Sequence, residues 1–253
     1  EVSGSPKQRW SADLYARHAS FVPDLGVAWV EALGPIADLE ILDLGCGNGA
    51  LTKHLVDGGA RVVGIDASAD LVAAACERGI DARVGDGRAL SFDGEFDLVF
   101  SHAALHWMKP PETVIDGVRR ALRPSGLFVA DMGGAGNVAL EEAALEAALE
   151  RRGLNGKAAN PWFFPTPDAY RTLLEQAGFT VDSIESFDRP TRIDSDIVGW
   201  LETFGDTFLS RVDSAERATL LSEVADELRP KLSDSQGNWT LDYVRLRFAA
   251  HVD

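Results

Sequence analysis

The sequence is short of cysteine, methionine and positive charge, and it has no long apolar run. Cys46 and Cys76 are the two cysteines among 253 residues. One falls in a glycine-rich stretch and the other in a helical segment, so a structural disulfide is not expected. The setting expected is reducing and cytoplasmic. No Cys/His cluster has metal-ligand spacing, so no metal is expected. No apolar run approaches the roughly 20 residues of a membrane span. Lys and Arg number 24 against 40 Asp and Glu, a formal charge of −16. That balance opposes unaided binding to nucleic acid, whose affinity rests on cations meeting phosphates. It also opposes docking on an anionic membrane, and it keeps a chain soluble. The partner expected is a small molecule, with the oligomeric state left open. The opening Glu1-Val2-Ser3-Gly4-Ser5-Pro6 reads as a processed end without a basic-then-apolar leader, and it stands outside the fold reading.

What is present is a regular beat from 39 to 132. Strands are expected at 39–44, 61–66, 82–84, 96–101 and 127–132. Between them come helices: one from Ala50 to Gly58-Gly59, one capped by Ser68 and closed by Gly79, one from Pro110-Pro111 to Leu122. Arg123–Gly126 reads as a turn. Continuous apolar strands alternating with helices predict a parallel sheet covered on both faces. Beyond Met132 the beat changes. A helix is expected over 137–152, and an irregular loop over 155–165 carries Trp162, Phe163 and Phe164. A helix then starts at Thr166-Pro167 and ends at Gly178. A strand follows at 179–187, helical structure at 195–231 and a last strand at 239–248. Residues 7–33 read as two helical pieces broken by Pro23 and Gly26. The organisation expected is a helical lid over 1–38 and a main domain over 39–253 with cap segments 135–165 and 194–235.

The stretch Ile41-Leu42-Asp43-Leu44-Gly45-Cys46-Gly47-Asn48-Gly49-Ala50 is a strand running into a glycine turn and a helix. Glycines let backbone pass close to a ligand, and a helix start offers unpaired N–H groups. Gly45-x-Gly47-x-x-Ala50 fits the dinucleotide fingerprint, with Asp66 at the spacing of an acid that grips ribose hydroxyls. A nicotinamide dehydrogenase therefore stays open on the loop alone. Asp43 would repel a pyrophosphate but suits an ammonium group. Asp86 ends the third strand, where a carboxylate can meet an adenine amino group. The chain also lacks the second mononucleotide-binding half of a dehydrogenase. Ribose, adenine and a cationic amino-acid tail together describe S-adenosylmethionine (SAM).

These residues carry a family resemblance. Ile41–Gly49 resembles the first motif of class I SAM-dependent methyltransferases, Gly64-Ile65-Asp66 the second and Gly85-Asp86-Gly87 the third. Phe96–Ser101 resembles their fourth strand, and Ala121–Leu127 their turn into the fifth. The resemblance implies a Rossmann-like, doubly wound α/β fold with a seven-stranded sheet, its last strand antiparallel, carrying helical cap insertions. Ser101-His102-Ala103-Ala104-Leu105-His106-Trp107 is similar to the strand-4 exit of the trans-aconitate methyltransferase branch, whose usual pattern has Asn in place of His102 and often Gln in place of His106. By position, Asp66 and Ala67 are implied at the ribose, and Asp86 and Gly87 at the adenine. Gly45 and Gly47 are implied along the ribose and methionine portion, Asp43 at the ammonium, and Ser101 and His102 beside the methionine end. Tyr15 or His18 reaches in if the lid closes over the cofactor.

Methyl transfer from a sulfonium asks the protein mainly to orient the acceptor and exclude water. His106 is the candidate base where the acceptor carries a proton. Trp107, Trp162, Trp200 and Phe204 are candidates for walling an acceptor pocket. An ionised carboxylate acceptor needs no base but wants an arginine, for which Arg189, Arg192, Arg245 and Arg247 are available. The function expected is methyl transfer to a small-molecule carboxylate or hydroxyl oxygen, with S-adenosylhomocysteine as the product. The alternative is a SAM-binding protein that does not methylate, lyase-like, cyclising or regulatory.

Overall fold

The computed structural model describes residues 8, 10–19 and 21–253. The opening segment 1–6 and positions 7, 9 and 20 of the expected lid lie outside the described residues. Two compact units are present. The sheet unit comprises Phe21–Ala135, Phe163–Phe187 and Arg245–Asp253. The second unit holds the described residues before 21 with Gly136–Trp162 and Asp188–Val244.

The sheet unit is built on seven strands: β1 (Glu40–Leu44), β2 (Arg61–Asp66), β3 (Asp81–Val84), β4 (Phe96–His102), β5 (Leu122–Gly133), β6 (Phe179–Asp188) and β9 (Val244–Val252). Their order is β3-β2-β1-β4-β5-β9-β6. β1 runs parallel to β2 and β4, β2 to β3, and β4 to β5. β9, the last strand of the chain, runs antiparallel to β5. The burial of β1 and β4 along nearly their whole length follows from helices on both faces. One core gathers Leu42, Leu44, Val99, Phe128, Ala130 and Phe248. The other face gathers Ile41, Leu55, Leu98, Phe100 and Val129. Strand order reverses between β1 and β4, and ligand sites of such sheets form beyond the strands' C-terminal ends at that point.

Local signals placed several helices as expected. α4 (Ala69–Glu77) starts where the Ser68 hydroxyl accepts the Leu71 N–H, and Gly79 follows it at φ +81°. α8 (Pro167–Gln176) starts at Thr166 in the same way, with Pro167 in its first turn. The break expected at Pro23 and Gly26 falls elsewhere. α1 (Ala12–His18) ends first, and α2 (Phe21–Glu31) runs through both residues. Pro23 sits in the first turn, where no N–H is needed. Gly26 answers a close approach: a Cβ there would stand 2.6 Å from Leu51 and 3.1 Å from the His102 ring. The turn expected at Arg123–Gly126 lies within β5 as an irregularity. Phe96 pairs with Leu122 and Leu98 with Leu127, leaving the residues between them to stand out of register.

The second unit contains α1, α6 (Ala139–Glu150), α7 (Gly156–Ala159), α9 (Ile197–Phe204), α10 (Asp206–Leu209) and α11 (Ser214–Leu232). The helical stretch expected over 195–231 is thus three helices, with Gly205 between the first two. The single strand expected over 239–248 is two. β8 (Trp239–Leu241) pairs with β7 (Thr191–Ile193), a strand too short to show a period, while β9 belongs to the large sheet. The break has local causes. The Asp242 carboxylate accepts the Leu140 N–H, and the Tyr243 hydroxyl accepts the Trp200 indole N–H.

Candidate functional site

The chain leaves β1 through Gly45, Gly47 and Gly49, all at positive φ. A Cβ on Gly45 would lie 2.2 Å from the Ala104 Cβ, so this glycine is required by the neighbouring loop. A Cβ on Gly47 would meet nothing within 4 Å, so this glycine faces open space. The loop is pinned to the end of β2. Gly45 N–H donates to the Ile65 carbonyl at 2.7 Å, and Gly47 N–H donates to Asp66 Oδ2 at 3.0 Å. Asp66 Oδ1 accepts the Ser68 N–H at 2.9 Å. Burial holds the Asp66 carboxyl above its usual range, against backbone donors that include Ala67 N–H. Ala67 itself is exposed at the strand exit.

Asp43 lies beneath the loop on β1, buried, with Thr52 donating its hydroxyl proton to Oδ2 at 2.7 Å. Burial pushes its pKa up to about 7, with the Thr52 hydrogen bond opposing and the nearby Asp66 charge adding. Asp86 is less available than its sequence position suggests. Arg88 donates to it from the backbone N–H at 3.0 Å and from the guanidinium, taking both carboxylate oxygens. Gly87 is buried, and a Cβ there would meet Met108 Sδ at 2.6 Å. Arg88 is a residue the sequence reading missed.

At the end of β4, the Ser101 hydroxyl is fully buried and donates to the Leu44 carbonyl at 2.7 Å, tying β4 to β1. The buried His102 ring packs beside Gly26, with Nε2 3.9 Å from Asp131 Oδ1. His106 sits in the 3₁₀ turn Leu105–Trp107, its ring 5.6 Å from Trp107 and 5.4 Å from Phe164. Its Nδ1 accepts the Gly133 N–H at 3.2 Å. Burial, and after it the Arg245 charge, hold its pKa well below the usual histidine range. A neutral ring whose Nδ1 accepts carries its proton on Nε2. In this arrangement His106 presents a donor at Nε2.

Asp131 on β5 was missed, and Arg245 and Arg247 on β9, offered as partners for an acceptor carboxylate, converge on it. Arg245 Nε donates to Asp131 Oδ1 at 2.6 Å and Arg247 Nε to Oδ2 at 2.6 Å. The signal available was Arg-x-Arg, two cations on one face of an otherwise apolar strand.

Tyr15, Trp162, Trp200 and Phe204 belong to the second unit. Tyr15 packs edge-on to Trp10. Trp162, Trp200 and Phe204 are buried and stack as a chain of rings, with Trp162 6.3 Å from Trp200 and Trp200 5.0 Å from Phe204. They pack there among the buried aromatic residues. Trp107 is half-buried beside His106. Arg192 donates to Asn238. Cys46 and Cys76 are both free thiols.

Among the described residues, no three His, Cys, Asp or Glu side chains stand together as metal ligands. No helix among them is long and apolar enough to cross a membrane. The residues present do fit SAM. Gly47 faces open space, Asp66 stands at the strand end beside it, and Asp43 is a buried carboxylate with no cation beside it among the described residues.

A doubly wound sheet with a glycine loop at its switch point defines a Rossmann-like nucleotide-binding protein. The comparisons narrow the class. Residues 42–130 match the methyltransferase domain family. The chain is 42% identical over 260 aligned positions to an uncharacterised methyltransferase of Schizosaccharomyces pombe, covering 98% of this chain and all of that one. It is 31% identical over 185 positions to trans-aconitate 2-methyltransferase of Mycobacterium tuberculosis, 70% of each chain. In fold it is similar to Haemonchus contortus phosphoethanolamine N-methyltransferase 2, solved with phosphomonomethylethanolamine and S-adenosylhomocysteine. There the TM-score is 0.59 and the identity 21%, over 90% of this chain and 52% of that one. The chain belongs to the SAM-dependent methyltransferases and is an enzyme that uses SAM as its cofactor.

Proposed function

We propose that this methyltransferase acts on a small molecule and transfers the methyl group to an oxygen, a carboxylate oxygen in preference to a hydroxyl. The observation that carries this reading is the hydrogen bond from Gly133 N–H to His106 Nδ1. It supports the imidazole acting as a donor at Nε2 rather than as a base. An amine or carbon acceptor must lose a proton, whereas a carboxylate is already ionised at neutral pH.

When bound, SAM supplies a methyl group on a positively charged sulfur, open to in-line displacement. The chain's residues hold and orient. Gly45 and Gly47 give the backbone its path along the cofactor, with Gly47 leaving the cradle clear. Asp66 accepts from the ribose hydroxyls while keeping its hold on the loop. Asp43 faces the methionine ammonium. Asp86 meets the adenine amino group once Arg88 releases it. His106 Nε2–H donates to the acceptor's second oxygen, and Trp107 walls the space beside it. The charge of −16 supports a small-molecule acceptor over nucleic acid, and two free cysteines agree with a cytoplasmic setting.

The test is turnover with labelled SAM against panels of carboxylic acids, alcohols and amines. The expected result is S-adenosylhomocysteine formed in step with a base-labile methyl ester. A methylated amine, or SAM bound without turnover on any panel, would overturn the reading.

A further inference from the structure

Asp131, Arg245 and Arg247 meet where β9 lies against β5. Asp131 is opposite Arg247, and Gly133 is opposite Arg245. One fully buried carboxylate thus faces two guanidinium groups. Arg245, 2% exposed, suffices to neutralise it, since it contacts Oδ1 and donates to the Asp131 carbonyl at 3.2 Å. Arg247 is the surplus cation. A partly buried cation in excess of its partners favours the arrival of a counter-charge.

Arg247 is also held ready for one. Its Nε is fixed on Asp131 Oδ2, and its guanidinium lies 5.0 Å from the Trp29 ring and 4.7 Å from the Phe187 ring. The rings offset part of the charge and fix the plane of the fork. Among the described residues its two terminal amino groups make no hydrogen bond, and 24% of the side chain is exposed. Asp131 pairs across to His102 at the end of β4, so the cluster stands at the edge of the sheet that carries His102 and His106.

We propose that Arg247 determines acceptor specificity by receiving an oxyanion of the acceptor, carboxylate or phosphate, on its terminal amino groups, with Asp131 and Arg245 as positioning residues. This rests on the small-molecule reading of the same site. A planar fork already oriented by two rings binds an oxyanion through two charge-assisted hydrogen bonds with little ordering left to do.

The experiment is calorimetric titration of the full chain, saturated with S-adenosylhomocysteine, by glutarate, inorganic phosphate and the neutral analogue glutaramide. Wild type should bind at least one of the anions and not glutaramide, and the anion bound names the source. Arg247→Gln should weaken that binding about tenfold or more, the scale of a charged hydrogen bond, with S-adenosylhomocysteine affinity unchanged. Equal anion binding by wild type and Arg247→Gln overturns the proposal. So does glutaramide binding as well as glutarate, or no anion binding to wild type. Should Arg247→Gln fail to fold, Arg247→Lys decides, because it keeps the charge and loses the fork. Weaker anion binding at a native melting temperature supports the proposal, and unchanged binding sinks it. If S-adenosylhomocysteine itself fails to bind, the cofactor reading fails, and the anion titrations are then read on the unliganded chain.

Discussion

The Gly133 backbone N–H donates to His106 Nδ1 at 3.2 Å, across the gap between the strand-4 exit and the end of β5. That contact fixes the ring's tautomer and with it the chemistry open to the site. Removing a true general base costs roughly 10²–10⁴-fold. Loss of a hydrogen-bond donor costs less. His106→Ala should lower kcat/KM by about tenfold, on the scale of one lost hydrogen bond to a charged group, and leave the pH–rate profile's shape unchanged. His106→Gln, whose amide also donates, should recover part of the loss. A fall beyond about a hundredfold, with an inflection of the profile abolished, would restore the base.

Asp43 ties cofactor binding to pH. Its carboxyl, pushed up to about 7 by burial, is partly protonated in the unliganded protein at neutral pH. A ligand ammonium favours the ionised form, so binding below pH 7 releases a proton. Affinity for S-adenosylhomocysteine should therefore rise with pH up to about 7 and level off above it. Calorimetry at pH 6 in two buffers of different ionisation enthalpy reads the proton directly. Asp43→Asn should bind more weakly and with no such slope.

The two glycines of the loop should separate stability from binding. Gly45→Ala forces a Cβ to within 2.2 Å of the Ala104 Cβ at φ +83°. Overpacking of this kind costs on the order of 1–3 kcal/mol, and the left-handed backbone adds roughly 1–2 kcal/mol. Gly47→Ala meets nothing within 4 Å, so the backbone penalty stands alone. Its melting temperature should fall by less than that of Gly45→Ala, while SAM affinity falls. A Gly47→Ala protein that binds SAM normally would place the cofactor elsewhere.

How far the site was legible depended on how local its causes are. Asp43, Gly47 and Asp66 could be read because a strand end, a turn and a helix cap announce themselves within a few residues. Ser68 and Thr166 are caps for the same reason. The Asp131–Arg247 pair spans 116 positions and exists through the register of β9 on β5, which no neighbouring residue encodes. Asp86 was legible as a strand-end carboxylate, but its capture by Arg88 depends on a side-chain rotamer. The stretch 239–248 hid its division because Tyr243 reads as a strand residue, whereas its hydroxyl serves the Trp200 indole. His106 was found by motif position, and its role changed only when the partner of Nδ1 was known.

In the second unit, Glu141 in the first turn of α6 is fully buried beside Asp242. Burial, and after it Asp242, pushes Glu141 up to about 9. Unfolded, it titrates near 4.5. A raised folded pKa contributes stability that is complete below the unfolded value and is lost as pH rises towards the folded one. The loss has an upper slope of about 1.4 kcal/mol per pH unit. Glu141→Gln keeps the shape, cannot ionise and gives Asp242 a donor. Its melting temperature should match that of wild type near pH 5 and exceed it by a margin that widens up to pH 9. The check is a thermal scan of both proteins across that range. A constant difference at every pH would mean that Glu141 is not held protonated in the fold.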